Sequence, residues 1–102
     1  MALRTTTLGQ WEVGPMLVPN VATDIYSKDA HIFEIHLVNE TAGAVTVTIN
    51  DKQSAPRAVV PTTVAVQANS DLVWEFTGRF CPGGLSWVAS AASSITGYVR
   101  GR

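Results

Sequence analysis

The feature that most constrains the fold is a two-residue alternation of apolar and polar side chains, which recurs along most of the chain. Phe33, Ile35 and Leu37 occupy every second position of one segment. Residues 45–49 (Val-Thr-Val-Thr-Ile) show the same alternation. Successive side chains of a strand point to opposite faces, so this period is typical of strands with one face in a core. Helical periodicity is nearly absent. The sequence therefore predicts an all-β fold.

Each alternating run is closed by Gly, Pro, Asn, Asp or Ser, which favour turns. The turn-rich residues 39–44 are predicted to close a hairpin, and Trp74 is predicted to anchor the core together with Leu72 and Phe76. Short antiparallel strands without helices favour a β-sandwich or jelly-roll, with an edge-closed barrel as the alternative. The predicted strands cover residues 22–26, 31–38, 45–49, 59–67, 72–76, 85–89 and 95–100.

The 102 residues are enough for one domain, and the first part of the chain differs from the rest. We predict an extended N-terminal arm over residues 1–20 and a β-sandwich over residues 21–102. The arm carries more large apolar side chains than a disordered tail would. It is therefore expected to lie either on the flank of its own sandwich or on a neighbouring subunit or partner.

The charge and hydropathy of the chain exclude several classes of partner. Seven Lys and Arg against eight Asp and Glu give a net charge of −1, which offers no basic surface for nucleic acid. No stretch approaches the roughly 20 apolar residues of a membrane helix, and the N-terminus lacks the apolar centre of a secretion signal. The protein is expected to stay in the cytosol, or in a particle assembled there.

The candidate catalytic and metal-binding residues do not form a convincing set. Glu34 and His36 share a predicted strand face and could act as an acid/base pair, but no nucleophile accompanies them. His31 and His36 are expected on opposite faces, where they could not share a metal ion. Cys81 is expected to be buried and inert. We expect no catalytic, cofactor or metal site.

The tryptophans and a pair of glycines are further candidates for a binding site. Trp11, Trp74 and Trp87 could form a sugar-stacking platform, but Trp74 and Trp87 fall at inward positions of their strands. Gly83 and Gly84 lack the residues of a phosphate-binding loop and are expected to allow positive φ before a strand. These residues favour a structural interpretation.

The order of strands resembles small β-sandwich proteins encoded among the virion genes of tailed bacteriophages. The resemblance covers about residues 20–102 and rests on the pattern of residues along the strands. It is clearest at the end of the chain, in residues 83–91 (Gly-Gly-Leu-Ser-Trp-Val-Ala-Ser-Ala) and 95–101 (Ile-Thr-Gly-Tyr-Val-Arg-Gly). Residues 24–27, 37–39 and 45–49 follow the same order.

The resemblance implies a virion component, assembled in the host cytoplasm, that binds the major capsid protein or another virion protein. A decoration or cement protein on the capsid lattice is the favoured form. Such proteins are commonly homo-oligomers, with trimers favoured. Exposure arguments, rather than a family motif, give the expected partner-binding residues: Leu3, Leu8, Trp11, Met16, Leu17, Phe80 and Pro82.

Two other functions stay open at this stage. A tail or head–tail accessory or adhesion module would bind a carbohydrate or protein receptor through exposed aromatic side chains. A small enzyme or enzyme inhibitor would need positioned groups that the sequence does not display.

Overall fold

The computed structural model describes residues 3–5, 9–61 and 65–102. These residues form strands only. A helix able to cross a membrane is not found among them. The strands are β1 (Leu3–Thr5), β2 (Trp11–Leu17), β3 (Thr23–Tyr26), β4 (Ala30–Asn39), β5 (Val45–Asp51), β6 (Ala65–Val66), β7 (Ser70–Cys81), β8 (Leu85–Ala89) and β9 (Ile95–Gly101).

The strands form two antiparallel sheets that face each other across the core. One sheet has the order β1-β2-β9-β4-β7 and the other the order β3-β8-β5-β6. The paired strands β2 and β9, β3 and β8, β4 and β7, and β5 and β6 are those of one long hairpin rolled into two layers. This is the arrangement of a jelly-roll. The predicted all-β sandwich fold is confirmed.

The core between the sheets is centred on two tryptophans. Trp11 on β2 is 2% exposed and Trp87 on β8 is 1% exposed. Each packs over a glycine of β9: a Cβ on Gly97 would come within 2.6 Å of the Trp87 ring, and one on Gly101 within 2.5 Å of the Trp11 ring. Glycine at these positions is therefore what lets both indole rings pack closely against the central strand.

The prediction that Trp74 anchors the core is wrong. Trp74 points toward the core, as Leu72 and Phe76 do, but all three side chains are only half-buried. The reason is the position of β7, which lies at the edge of its sheet. A side chain on an edge strand has sheet neighbours on one side only. The alternation therefore predicted correctly that Trp74 points toward the core, but it did not predict how much of the side chain is buried.

A β-bulge in β4 changes which side chains of this strand face the core. The register shifts between Ile32 and Glu34 on both neighbouring strands. As a result Ile32 is buried together with Ile35 and Leu37, while Phe33 and Glu34 are half-buried. The predicted faces are therefore wrong before the bulge and correct after it, because a bulge inverts the alternation.

The turn after β4 does not close a hairpin. β4 and β5 belong to different sheets, so residues 40–44 carry the chain across the sandwich. Asn39 fixes this crossing: its amide group donates hydrogen bonds to the carbonyls of Gly43 (2.8 Å) and Val66 (2.9 Å), and its oxygen accepts one from the Thr41 amide (2.9 Å). Asn39 is 0% exposed, so its side chain lies in the interior of the sandwich.

The segment predicted as an arm lies largely on its own sandwich. Residues 11–17 form β2, which pairs with β9, and the buried side chains of Trp11, Val13 and Val18 belong to the core. The boundary predicted at residue 20 is corrected accordingly. The strand pattern was hidden because Gly14 and Pro15 interrupt the alternation at a register shift between Val13 and Met16. Residues 6–8, and with them Leu8, lie outside the described residues.

The strand predicted over residues 59–67 is present only in part. β6 comprises Ala65 and Val66, and Ala58 forms an isolated bridge with Asn50. Residues 62–64 lie outside the described residues. The preceding loop is held by the buried Asp51, which accepts a hydrogen bond from the Arg57 amide (3.0 Å). Burial opposes the ionised carboxylate, but hydrogen bonds from Arg57 and Gln53 outweigh it and lower the pKa of Asp51.

Candidate functional site

The outer face of the five-stranded sheet is the surface that turns away from the core. Its side chains alternate along β2, β4, β7 and β9 with those that point to the core, and strand register places them in rows. In the central row, His36 lies between Tyr98 on one side and Val73 on the other. The face comprises Glu12, Pro15, Leu17, His31, Phe33, Glu34, His36, Val38, Asp71, Val73, Glu75, Phe80, Thr96, Tyr98 and Arg100.

This outer face carries large apolar side chains in contact with solvent. Leu17 is 54% exposed, Val73 47% and Phe80 51%. They are three of the five large apolar side chains that are exposed among the described residues. A single exposed apolar residue is unremarkable, but three on one sheet face make that face the first candidate for a docking surface.

Two hydrogen-bonded pairs hold the polar side chains of the face in place. The Tyr98 hydroxyl donates to a Glu12 carboxylate oxygen at 2.6 Å, and His36 Nε2 lies 2.9 Å from Asp71 Oδ2. Burial and the bond to Glu12 raise the pKa of Tyr98 to about 12. Tyr98 is therefore a neutral hydrogen-bond donor with a fixed direction at any ordinary pH.

Arg100 is the centre of a second group on the same face. Its guanidinium lies 5.7 Å from the centre of the Phe33 ring, and its Nε lies 3.6 Å from a Glu34 oxygen. A cation over an aromatic ring is attracted to the ring face. Arg100 thereby holds Phe33 against the sheet, because the two side chains constrain each other.

The described part of the outer face has more acidic than basic side chains. Glu12, Glu34, Asp71 and Glu75 lie on it, whereas its described basic side chains are Arg100 and Arg102, the latter paired with His31. The surplus of carboxylates favours a partner that presents Lys or Arg around an apolar patch.

Two shallow depressions flank His36 at one end of the face. One, of about 260 Å³, is lined by Pro15, Val38 and Tyr98 among others. The second, of about 360 Å³, lies on the other side of His36 and reaches Asn69. Both are open to solvent, so they fit protruding side chains of a partner better than they fit an enclosed small molecule.

The opposite end of the face is aromatic. The His31 and Phe80 rings lie 5.1 Å apart between centres, on directly paired residues of β4 and β7. Phe80 was predicted as a partner contact, and the structure places it at the end of this face with half of its surface in solvent. Pro82, in the following loop, is half-buried.

The remaining predicted partner contacts separate into exposed and buried groups. Leu17 lies on the outer face, and Leu3 is 44% exposed on the edge strand β1. Met16 packs against the core, and Trp11 lies inside it, stacked on Tyr26 with 4.3 Å between ring centres. Trp11 is therefore a core residue, and its prediction as a contact is corrected.

The structure shows the surroundings of the residues that were candidates for chemistry. Cys81 is buried, and burial raises the pKa of its thiol to about 11, so it is protonated at neutral pH. Gly83 and Gly84 have φ values of 76° and 106°, as predicted. His31 and His36 both face outward, contrary to expectation, because the bulge lies between them. Within the described ranges no group of three His, Cys, Asp or Glu could hold a metal ion.

Sequence reasoning missed most of the outer face. Val73, His36 and Tyr98 were assigned to strands, but their strands were not known to be neighbours. The available signal was the apolar side chain at an outward position, as at Val38 and Val73. Comparison of the chain with known family models, curated proteins and solved structures finds no match in any of the three.

Proposed function

We propose that this chain is a non-enzymatic structural protein of a virion, of the capsid decoration type, which binds the assembled capsid lattice through the outer face of its five-stranded sheet. The observation that carries the proposal is the exposure of Leu17, Val73 and Phe80 on one face of a completed sandwich. Leu17 and Phe80 are among the contacts expected from sequence, and Val73 is an addition from the structure.

Docking on this face requires little change in the protein. The exposed apolar side chains lie on paired strands, so the backbone that carries them is already ordered before binding, and little conformational entropy is lost. Each Å² of apolar surface that leaves water contributes about 25 cal/mol. Because a protein that binds only the assembled lattice shifts the equilibrium toward assembly, no reaction is needed for this function.

The fold supports a binding function without specifying the partner. Jelly-rolls are frequent among viral capsid proteins, and also among lectins and cupins. Fold alone does not fix function, so the argument rests on the chemistry of the face. The surplus of carboxylates on the face and the depressions around His36 favour a protein surface with basic and apolar side chains.

The test is co-sedimentation of the purified protein with particles of the phage that encodes it. The wild-type protein is expected to bind in a fixed ratio to capsid protein and to raise the temperature at which the particles open. Leu17→Ser with Phe80→Ser is expected to weaken binding by about tenfold or more, because each change removes buried apolar area.

The matched control lies on the other sheet. Val88 also points outward, but from the four-stranded sheet, so Val88→Ser should leave binding unchanged. Circular dichroism and urea unfolding would establish that all variants are folded. Binding lost in the control as well, or kept in the double variant, would show that the outer face of the five-stranded sheet is not the docking surface.

A carbohydrate-binding module is the second candidate, and the depressions flanking His36 favour it. Tyr98, Glu40 and Asn69 place polar groups around these depressions, as a sugar with many hydroxyl groups requires. Glycan binding abolished by Tyr98→Ala, without any affinity for particles, would support this function over capsid decoration.

A further inference from the structure

The long edge strand β7 is the feature that the docking face does not explain. Among the described residues, β7 pairs with β4 and has no strand partner on its other side. The other edge strands are short: β1 has three residues, β3 four and β6 two, whereas β7 has twelve. An unpaired edge of this length is able to accept another strand.

The protections that usually close such an edge are confined to one end of β7. The Arg79 guanidinium donates hydrogen bonds to the carbonyls of Val59 (3.0 Å) and Ala58 (3.1 Å), which ties the end of the strand to the preceding loop. Residues 70–78 contain neither lysine nor proline and no inward-pointing charge. This part of the edge is therefore open to pairing.

The inward side chains of β7 would gain from a neighbour. Leu72, Trp74 and Phe76 point toward the core but stay half-buried because the sheet ends there. A strand added at this edge would extend the sheet over their exposed sides. Apolar and aromatic pairs across neighbouring strands stabilise a sheet by up to about 1 kcal/mol each.

We propose that the open edge of β7 pairs with β7 of a second copy of this chain, antiparallel and about a two-fold axis at Trp74. The contact is self-complementary: Trp74 lies opposite Trp74, and Leu72 lies opposite Phe76 on the inner side. The two five-stranded sheets then form one continuous sheet of ten strands. An isologous contact of this kind closes on itself and yields a dimer.

Charge selects this register from its neighbours. The outward row of residues 70–78 contains two acids, Asp71 and Glu75, and no base. An axis at Val73 would place Asp71 against Glu75 twice, and an axis at Glu75 would place Glu75 against itself. An axis at Trp74 places Val73 opposite Glu75 and Asp71 opposite Thr77. Like charges directly opposite each other destabilise strand pairing, so this arrangement is favoured.

The first measurement is the molar mass of the purified protein by light scattering over a range of concentrations. The expected mass is twice the 10.9 kDa of one chain. This result differs from the trimer implied by the resemblance to phage decoration proteins. A wild-type protein that stays monomeric at millimolar concentration, or that forms trimers, would overturn the proposal.

Charge substitutions at the edge test the register. Val73→Asp would place an acid opposite Glu75 on both sides of the axis, and should raise the dissociation constant of the dimer on the order of tenfold or more. Val73→Lys, at the same position, would face Glu75 with the opposite charge and should keep the dimer. The double variant Val73→Asp with Glu75→Lys should restore it, because the facing charges again attract.

The matched control for these variants is Val38→Asp, on the same face but inside the sheet on β4. It should leave the dimer intact. All of these measurements are made without particles, so their result does not depend on the capsid-binding function. A dimer that survives Val73→Asp but is lost on Phe80→Ser would show that the copies meet through their faces, and would disprove edge pairing.

Discussion

The two sheets of this protein share a core but present different outer faces. On the four-stranded sheet the outward side chains of β5 and β8 are mainly short and uncharged: Thr46, Thr48, Asn50, Ser86 and Val88. The five-stranded sheet presents exposed apolar, aromatic and acidic side chains instead. Both sheets pack on the same core with one face and contact solvent with the other. The fold therefore does not require the outer face of the five-stranded sheet to be apolar, aromatic and acidic. The difference supports our proposal that the five-stranded sheet is the docking surface.

The largest expected effect is the difference in free energy of unfolding between substitutions on the inner and outer sides of the four-stranded sheet. Trp87→Ala should lower the free energy of unfolding by about 3–5 kcal/mol, because it empties the centre of the core. Thr48→Ala, on the outer side of the neighbouring strand, should change it by about 0.5 kcal/mol or less. Urea unfolding measures both. A comparable loss in the two variants would mean that this outer face also contributes to stability.

The next effect concerns the contact between the sheets at Gly97. Gly97→Ala should cost about 1–3 kcal/mol, because the new methyl group would press on the Trp87 ring. Gly43→Ala is the control, since a Cβ there would have no heavy atom within 4 Å. Equal stability of the two variants would show that the tryptophan can move away from β9 without loss.

A smaller effect is expected from the pH dependence of the outer face. The pKa of Tyr98 is raised from 10.0 to about 12, so the folded state holds the phenolic proton more tightly than the unfolded state does. The resulting stabilisation is complete below pH 10 and is lost as the pH rises toward 12. Tyr98→Phe lacks this titration. Urea unfolding of both proteins across this window should therefore show a steeper decline for the wild type, and parallel declines would contradict the assignment.

The smallest effect belongs to the pair of His36 and Asp71. Their side chains are 36% and 58% exposed, and exposed ion pairs contribute little. Asp71→Asn should change the free energy of unfolding by about 0.5 kcal/mol or less, with no added dependence on salt. A larger loss would show that this pair contributes to the stability of the sheet.

Much of the fold could be predicted from the sequence because alternation is a local property. Residues 45–49, 85–89 and 95–100 all lie in strands, as their patterns indicated. Two features were not predicted, the strand β2 and the bulge in β4, and both have local causes. β2 is interrupted by Gly14 and Pro15, and the bulge at Phe33 inverts the alternation within β4.

The outer face could not be predicted, because it depends on which strands become neighbours. Alternation placed Tyr98 and His36 on strands but gave no sign that β9 pairs with β4. Burial was likewise misjudged for Trp11 and Trp74, because edge and centre are properties of the assembled sheet. The expected contacts therefore included the buried Trp11 and omitted Val73.

The central position of β9 has a consequence for biosynthesis. β2 and β4 are made early, yet the strand that separates them consists of residues 95–101. Until those residues have been synthesised, β2 has only β1 beside it and β4 has only β7, and the two indole rings lack the glycines against which they pack. The nascent chain therefore exposes strand edges over most of its synthesis, and joining β2 to β9 closes a long loop late, which slows folding. For the same reason, deletions at residues 95–101 would remove the central strand of the sheet, whereas deletions at β1 would remove only an edge strand.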